Sequence, residues 1–131
     1  GSEMCIRDSP YDETYYPKFK KRCDEYFYLP HRNEPRGEGG IFFDYMNTGD
    51  WETDFDFVKD VGRKTLEAIT TIVNQHKELS WTAQEKDEQL LKRGRYVEFN
   101  LLWDRGTLFG IKTGGSTEAI LMSMPPTVKW A

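Results

Sequence analysis

Apolar positions recur at helical spacing through "DETYYPKFKKRCDEYFYLPHR", where Tyr16, Phe19, Cys23, Tyr26 and Phe27 fall on one face. The pattern predicts a helix that starts near Pro17, a residue tolerated in a first turn, and ends at Pro30. "HRNEPRGEGG" holds a proline and three glycines and reads as a loop. "IFFDYMN" then reads as a buried strand closed by the turn-prone "NTGD". In "TDFDFVKDVGRKTLEAITTIVNQHKE" the residues Phe57, Val58, Val61, Thr65, Ala68, Ile69 and Ile72 mark a long amphipathic helix. Gly62 and the Thr70–Thr71 pair weaken it. "SWTAQEKDEQLLKRG" predicts another helix, opened by a capping box of Thr82 and Glu85 and stopped at Gly94.

Beyond Gly94 the period changes. Val97, Phe99, Leu101 and Trp103 alternate with Tyr96, Glu98, Asn100 and Leu102, the signature of a strand. "RYVEFNLLW" and "LFGIKT" flank "DRGT", which reads as a tight hairpin, and "GGST" leads on to "EAILMSM" before Pro125 and Pro126. Three consecutive antiparallel strands make a meander. The expected fold class is therefore α+β, an antiparallel sheet (meander) flanked by helices. The polar face of the first of these strands is unusual. Tyr, Asn and Asp are poor choices for an ordinary exposed strand face, since Asn and Asp compete for backbone hydrogen bonds. A cavity, a partner subunit or a salt-bridge network would compensate them.

Composition narrows the class. One domain fits 131 residues, and an aromatic share of 15% argues for a packed core rather than disorder. The net charge of −4 disfavours a nucleic-acid binder. Two cysteines, Cys5 and Cys23, supply neither a disulfide framework nor a metal spacing, which points to a reduced, cytoplasmic setting. No apolar run approaches the roughly 20 residues of a membrane span. The polar head "GSEMCIRDSP" is no signal peptide; residues 1–11 read as a non-native or artefactual head, and residues 12–131 as the domain proper.

Candidate chemistry gathers in two places. The loop at 31–40 offers Arg32 and Arg36, planar forks suited to carboxylates, and His31, able to ligate a metal, move a proton or bond to backbone. Its glycines form no phosphate fingerprint, because no helix follows them. "KTGGST" pairs Gly114 with Gly115 at a turn, for which a plain hairpin is sufficient explanation. Glu98 and Asp104 offer carboxylates for acid–base work, with Arg95 and Arg105 as ion-pair partners. Nothing in the chain matches CxxC, HExxH, a nucleophile elbow or a P-loop.

The long stretches "YYPKFKKRCDEYFYLPHRNEPRGEGGIFFDY" and "LLKRGRYVEFNLLWDRGTLFGIKTGGSTEAILMSMPPTVKW" closely resemble the oxygen-dependent coproporphyrinogen III oxidases, in the same order, from about Asp12 to Trp130. The resemblance implies oxidative decarboxylation of two propionates of coproporphyrinogen III to vinyls, giving protoporphyrinogen IX in haem biosynthesis. Molecular oxygen is the implied co-substrate. No organic cofactor is implied, and a divalent metal, manganese, only for some bacterial members. His31 matches a metal ligand of those members. Gly114, Gly115 and Ser116 match a substrate-binding turn, and the 96–130 region matches a homodimer interface. Arg32, Arg36, Asp104 and Arg105 also match, as anion contacts or as structural salt bridges.

The chain departs from the family at Ser116, where arginine is usual, at Trp103, usually tyrosine, and at Arg22, usually tryptophan. The resemblance further implies a C-terminal-side fragment, inactive alone, whose catalytic residues belong to an absent N-terminal half. The competing expectation is a module that binds tetrapyrroles or carboxylates, or dimerises, without turnover.

Overall fold

The structure, a computed structural model, describes residues 11–131. All but the last residue of the expected artefactual head lies outside them. Among the described residues, five helices and one strand pair follow in chain order. They are α1 (Tyr15–Tyr26), β1 (Tyr28–Leu29), β2 (Glu34–Pro35), α2 (Trp51–His76), α3 (Ala83–Leu102), α4 (Arg105–Lys112) and α5 (Thr117–Leu121). Helices with a small antiparallel sheet make the class α+β, as the pattern predicts. Two compact units divide the chain.

The first unit joins α1, the segment Gly40–Ser80 and within it α2. Its core is aromatic. Phe57 is 2% exposed and meets the rings of Tyr15, Phe43 and Tyr11 edge-on at 5.2–5.3 Å. Phe19 and Cys23 of α1 are buried beside it, as their spacing predicts. Helix α2 starts because Asp50 caps it, its carboxylate accepting from the backbone of Glu52 and Thr53. Buried Asp54 is satisfied by the Thr48 amide and hydroxyl, both at 2.9 Å. Beyond the first turns the expected core stripe is exposed instead: Ile69 and Ile72 are each more than half exposed.

The expected strand "IFFDYMN" is a correction. This segment is not paired in a sheet. Its aromatic residues pack on helices: Phe42 stacks on Tyr26 at 4.8 Å, and its amide donates to the Phe19 carbonyl. Tyr45 then turns into the left-handed region at φ 51°, which ends any extended run.

The second unit contains β1, β2, α3, α4, α5 and the C-terminal segment. The stretch 31–40 is turn, bend and irregular chain as expected, except that Glu34 and Pro35 pair back on β1, with Tyr28 opposite Pro35 and Leu29 opposite Glu34. Asn33 at φ 56° closes the turn and its side chain accepts from the Tyr28 hydroxyl at 2.6 Å. Leu29 is fully buried and Phe99 is 1% exposed, with the Phe27 ring 5.2 Å from Phe99.

The meander is the main correction. Residues 95–102, 108–112 and 118–121 are helix, not strand, and Trp103, Thr113 and residues 122–124 are caps, turn or bend. The capping box at Thr82 and Glu85 is present as expected and starts α3. No proline interrupts the run that follows, and its Glu, Gln, Lys, Arg and Leu residues favour helix. Eight residues of alternation were too short to decide the period. Read at 3.6, Leu91, Arg95, Glu98, Phe99 and Leu102 share one face. Gly94 does not stop the helix. A Cβ there would sit 2.3 Å from the Lys129 carbonyl oxygen, so glycine admits the C-terminal backbone, whose Lys129 amide donates to Leu90.

Candidate functional site

Glu98, on α3, is the centre of a charged node. Its carboxylate accepts both arms of the Arg32 guanidinium, Nε at 2.6 Å and Nη2 at 2.7 Å. His31 Nε2 lies 2.8 Å from Oε2 of the same group. The hairpin turn delivers His31 and Arg32 together, and the helix supplies Glu98 one turn beyond Arg95. Arg95 pairs through Nε with Glu34 on β2, while its Nη1 stands 3.9 Å from Glu98. Planar forks on a nearly buried carboxylate give short, charge-assisted bonds. Arg32 above all, then His31, hold the Glu98 pKa down at about 2, against the opposing effect of burial. Glu98 is therefore an ionised anchor, not a proton donor near neutral pH.

Trp103, the C-cap of α3, completes the node: its indole N–H donates to His31 Nδ1 at 3.1 Å. Arg36 lies over the rings of Phe27, Tyr96 and Phe99, at 4.0, 5.0 and 5.2 Å from their centroids. Arg93 covers Tyr96 as well, at 4.3 Å. The Tyr96 pKa is lowered, chiefly by a hydrogen bond with Ser123, then by Asn100 and the two guanidinium charges.

The remaining expected site residues lie at helix boundaries. Asp104 is the N-cap of α4, accepting from the Thr107 amide at 2.7 Å, and Arg105 is the first residue of that helix. Gly114 and Gly115 are not a hairpin turn. Gly114 has φ 73°, its amide donates to the Ile111 carbonyl, and the Gly115 amide donates to Gly110. These two bonds end α4 as a Schellman motif. Ser116 caps α5, accepting from the Ala119 amide at 3.5 Å. The polar residues that looked misplaced on a strand are thus caps, ring contacts and ion pairs within one unit. Sequence reasoning paired Glu98 with Arg95 and missed Arg32, His31 and the Glu34–Arg95 pair. The three-residue spacing of Arg95 and Glu98 was the available signal for helix, since it places them on one face.

A metal does not fit His31 as it stands. One ring nitrogen faces Glu98 and the other accepts from Trp103. Among the described residues no three His, Cys, Asp or Glu side chains gather as potential ligands.

The family model described as coproporphyrinogen III oxidase matches residues 3–131, and the chain belongs to that family. It is 63% identical over 121 residues to the oxygen-dependent coproporphyrinogen-III oxidase of Rickettsia bellii, covering 92% of this chain and 43% of that protein. To the enzyme of the same name from Rickettsia rickettsii it is 62% identical over 128 residues, covering 98% of this chain and 45% of that protein. The chain thus spans less than half the length of these relatives.

Proposed function

We propose that this chain is part of an oxygen-dependent coproporphyrinogen III oxidase, which converts two propionates of coproporphyrinogen III to vinyls and yields protoporphyrinogen IX. The observation that carries the reading is the 62–63% identity to relatives of that name across nearly the whole chain. Each propionate loses carbon dioxide, a proton and two electrons, and dioxygen takes up the electrons and two protons to form hydrogen peroxide. Oxygen is thus the co-substrate, and no organic cofactor is required.

In this reading Gly114, Gly115 and Ser116 contact the substrate. The Schellman geometry supports it at Gly114, where nothing stands within 4 Å of the missing side chain and a ligand can approach the backbone, whereas Gly115 packs against Ile120 and the Gly110 carbonyl. Arg32 is a structural ion pair rather than a propionate contact, because Glu98 already occupies its fork. Asp104 likewise serves the backbone of α4. Arg36, held over the rings of Phe27, Tyr96 and Phe99, and Arg105 are in this reading anion contacts or structural salt bridges, as the family resemblance implies. The enzyme acts as a cytoplasmic homodimer through the 96–130 region; half-exposed Leu102 and strongly exposed Phe109 and Met122 there support an interface. No helix among the described residues is long and apolar enough to cross a membrane.

A second reading, a non-catalytic module that binds tetrapyrroles or carboxylates or only dimerises, is favoured by Ser116, which brings no cation to the turn. Anaerobic titration with coproporphyrinogen III, followed by admission of oxygen, separates the two. The enzyme reading expects protoporphyrinogen from the longer protein that contains this chain. Binding without product there supports the module and overturns the enzyme.

A further inference from the structure

We infer that His31 is a hydrogen-bonding bridge between Glu98 and Trp103 rather than a metal ligand, its tautomer fixed from both sides: the Glu98 carboxylate accepts at Nε2 and Trp103 donates to Nδ1. An indole has one N–H and no lone pair to offer, so the 3.1 Å contact from Trp103 Nε1 requires His31 Nδ1 to accept. In the neutral ring the proton then belongs to Nε2, which donates it to Glu98 Oε2 at 2.8 Å.

The ring planes of His31 and Trp103 are only 18° apart with centroids 6.0 Å apart, so the two rings lie nearly parallel with the indole nitrogen 3.1 Å from Nδ1. Glu98 cannot swing away to vacate Nε2, because Arg32 grips both of its oxygens. Each ring nitrogen is thus committed, one as donor and one as acceptor. A metal ion needs the lone pair of a deprotonated nitrogen, and the one available lone pair is already used. A cation binding there would break the Trp103 bond and meet the Arg32 charge beside the same carboxylate. The node instead couples the hairpin turn to the C-terminal end of α3 through a single ring.

The chain has two histidines, which makes the test direct. His76 is exposed near the end of α2, its Nδ1 bonded only to the Ile72 carbonyl at 2.8 Å, and serves as the internal control. The 131-residue chain, labelled with nitrogen-15, is examined by long-range proton–nitrogen correlation with the imidazole neutral. The expected result is a His31 ring in the Nε2–H form with a hydrogen-bonded Nδ1. Manganese chloride is then added, and the His31 signals are expected to broaden no earlier than those of His76. Trp103→Phe removes the donor and is expected to keep the Nε2–H form, which Glu98 still requires, while moving the Nδ1 signal to that of a nitrogen without a hydrogen bond; Trp103→Tyr, whose hydroxyl can donate, is expected to move it back. An Nδ1–H form in the unsubstituted chain overturns the inference. So does selective broadening of His31 at a manganese concentration that leaves His76 sharp. If Trp103→Phe does not fold, these two measurements on the unsubstituted chain decide alone.

Discussion

Replacing Glu98 by glutamine tests the node most directly. The substitution keeps the shape of the side chain and removes the charge that Arg32 and His31 are arranged around. The carboxyl pKa falls from its ordinary 4.5 to about 2, chiefly through the Arg32 hydrogen bonds. At 1.36 kcal/mol per pH unit the shift is worth about 3 kcal/mol. Water reaching the node screens part of this, leaving on the order of 1–2 kcal/mol. Because the folded-state value is the lower one, the stabilisation is fully present above pH 4.5. It fades as pH falls through 4.5 and is lost below about 2. Urea unfolding at pH 7, 5, 4 and 3 should therefore show Glu98→Gln less stable at pH 7, with the gap to the unsubstituted chain narrowing at pH 4 and further at pH 3. Equal stability at pH 7, or a gap that does not change with pH, would refute the assignment of Glu98 as the ionised centre.

Gly94→Ala should destabilise the second unit by about 1–3 kcal/mol in urea melts, despite alanine's helix preference, because the added Cβ meets the Lys129 carbonyl. A gain in stability would show that the C-terminal segment does not lie there. Thr82→Ala removes the capping box and should cost about 1 kcal/mol, with amide exchange accelerated in the first turn of α3. Gly114→Ala places a side chain at φ 73° and should cost about 1 kcal/mol, whereas Gly114→Asn, which tolerates that region better, should cost less. Ser116→Arg should tighten anaerobic coproporphyrinogen binding if the turn reaches a propionate; unchanged affinity in titration calorimetry would remove Ser116 from the substrate site.

Local features were legible in the chain because they depend on neighbours in sequence. The stripe of α1, the body of α2 and the Thr82–Glu85 box are set by residues within a turn or two of one another. The motifs that define the family were legible as well, being runs of adjacent residues. The period of residues 95–103 was not, since eight residues are too few to show the 3.6 spacing that Leu91, Arg95, Glu98, Phe99 and Leu102 share over the longer run. Tertiary structure decided it: Gly94 packs under Lys129, and Phe99 is buried against Phe27. It also decided the partners of the charged residues. Glu98 meets Arg32 across 66 positions and His31 across 67, a distance over which sequence carries charge but not pairing. Sequence by itself determined which groups carry charge, lone pairs and rings. Only the folded chain, by bringing a hairpin turn onto a helix, determined that these groups satisfy one another.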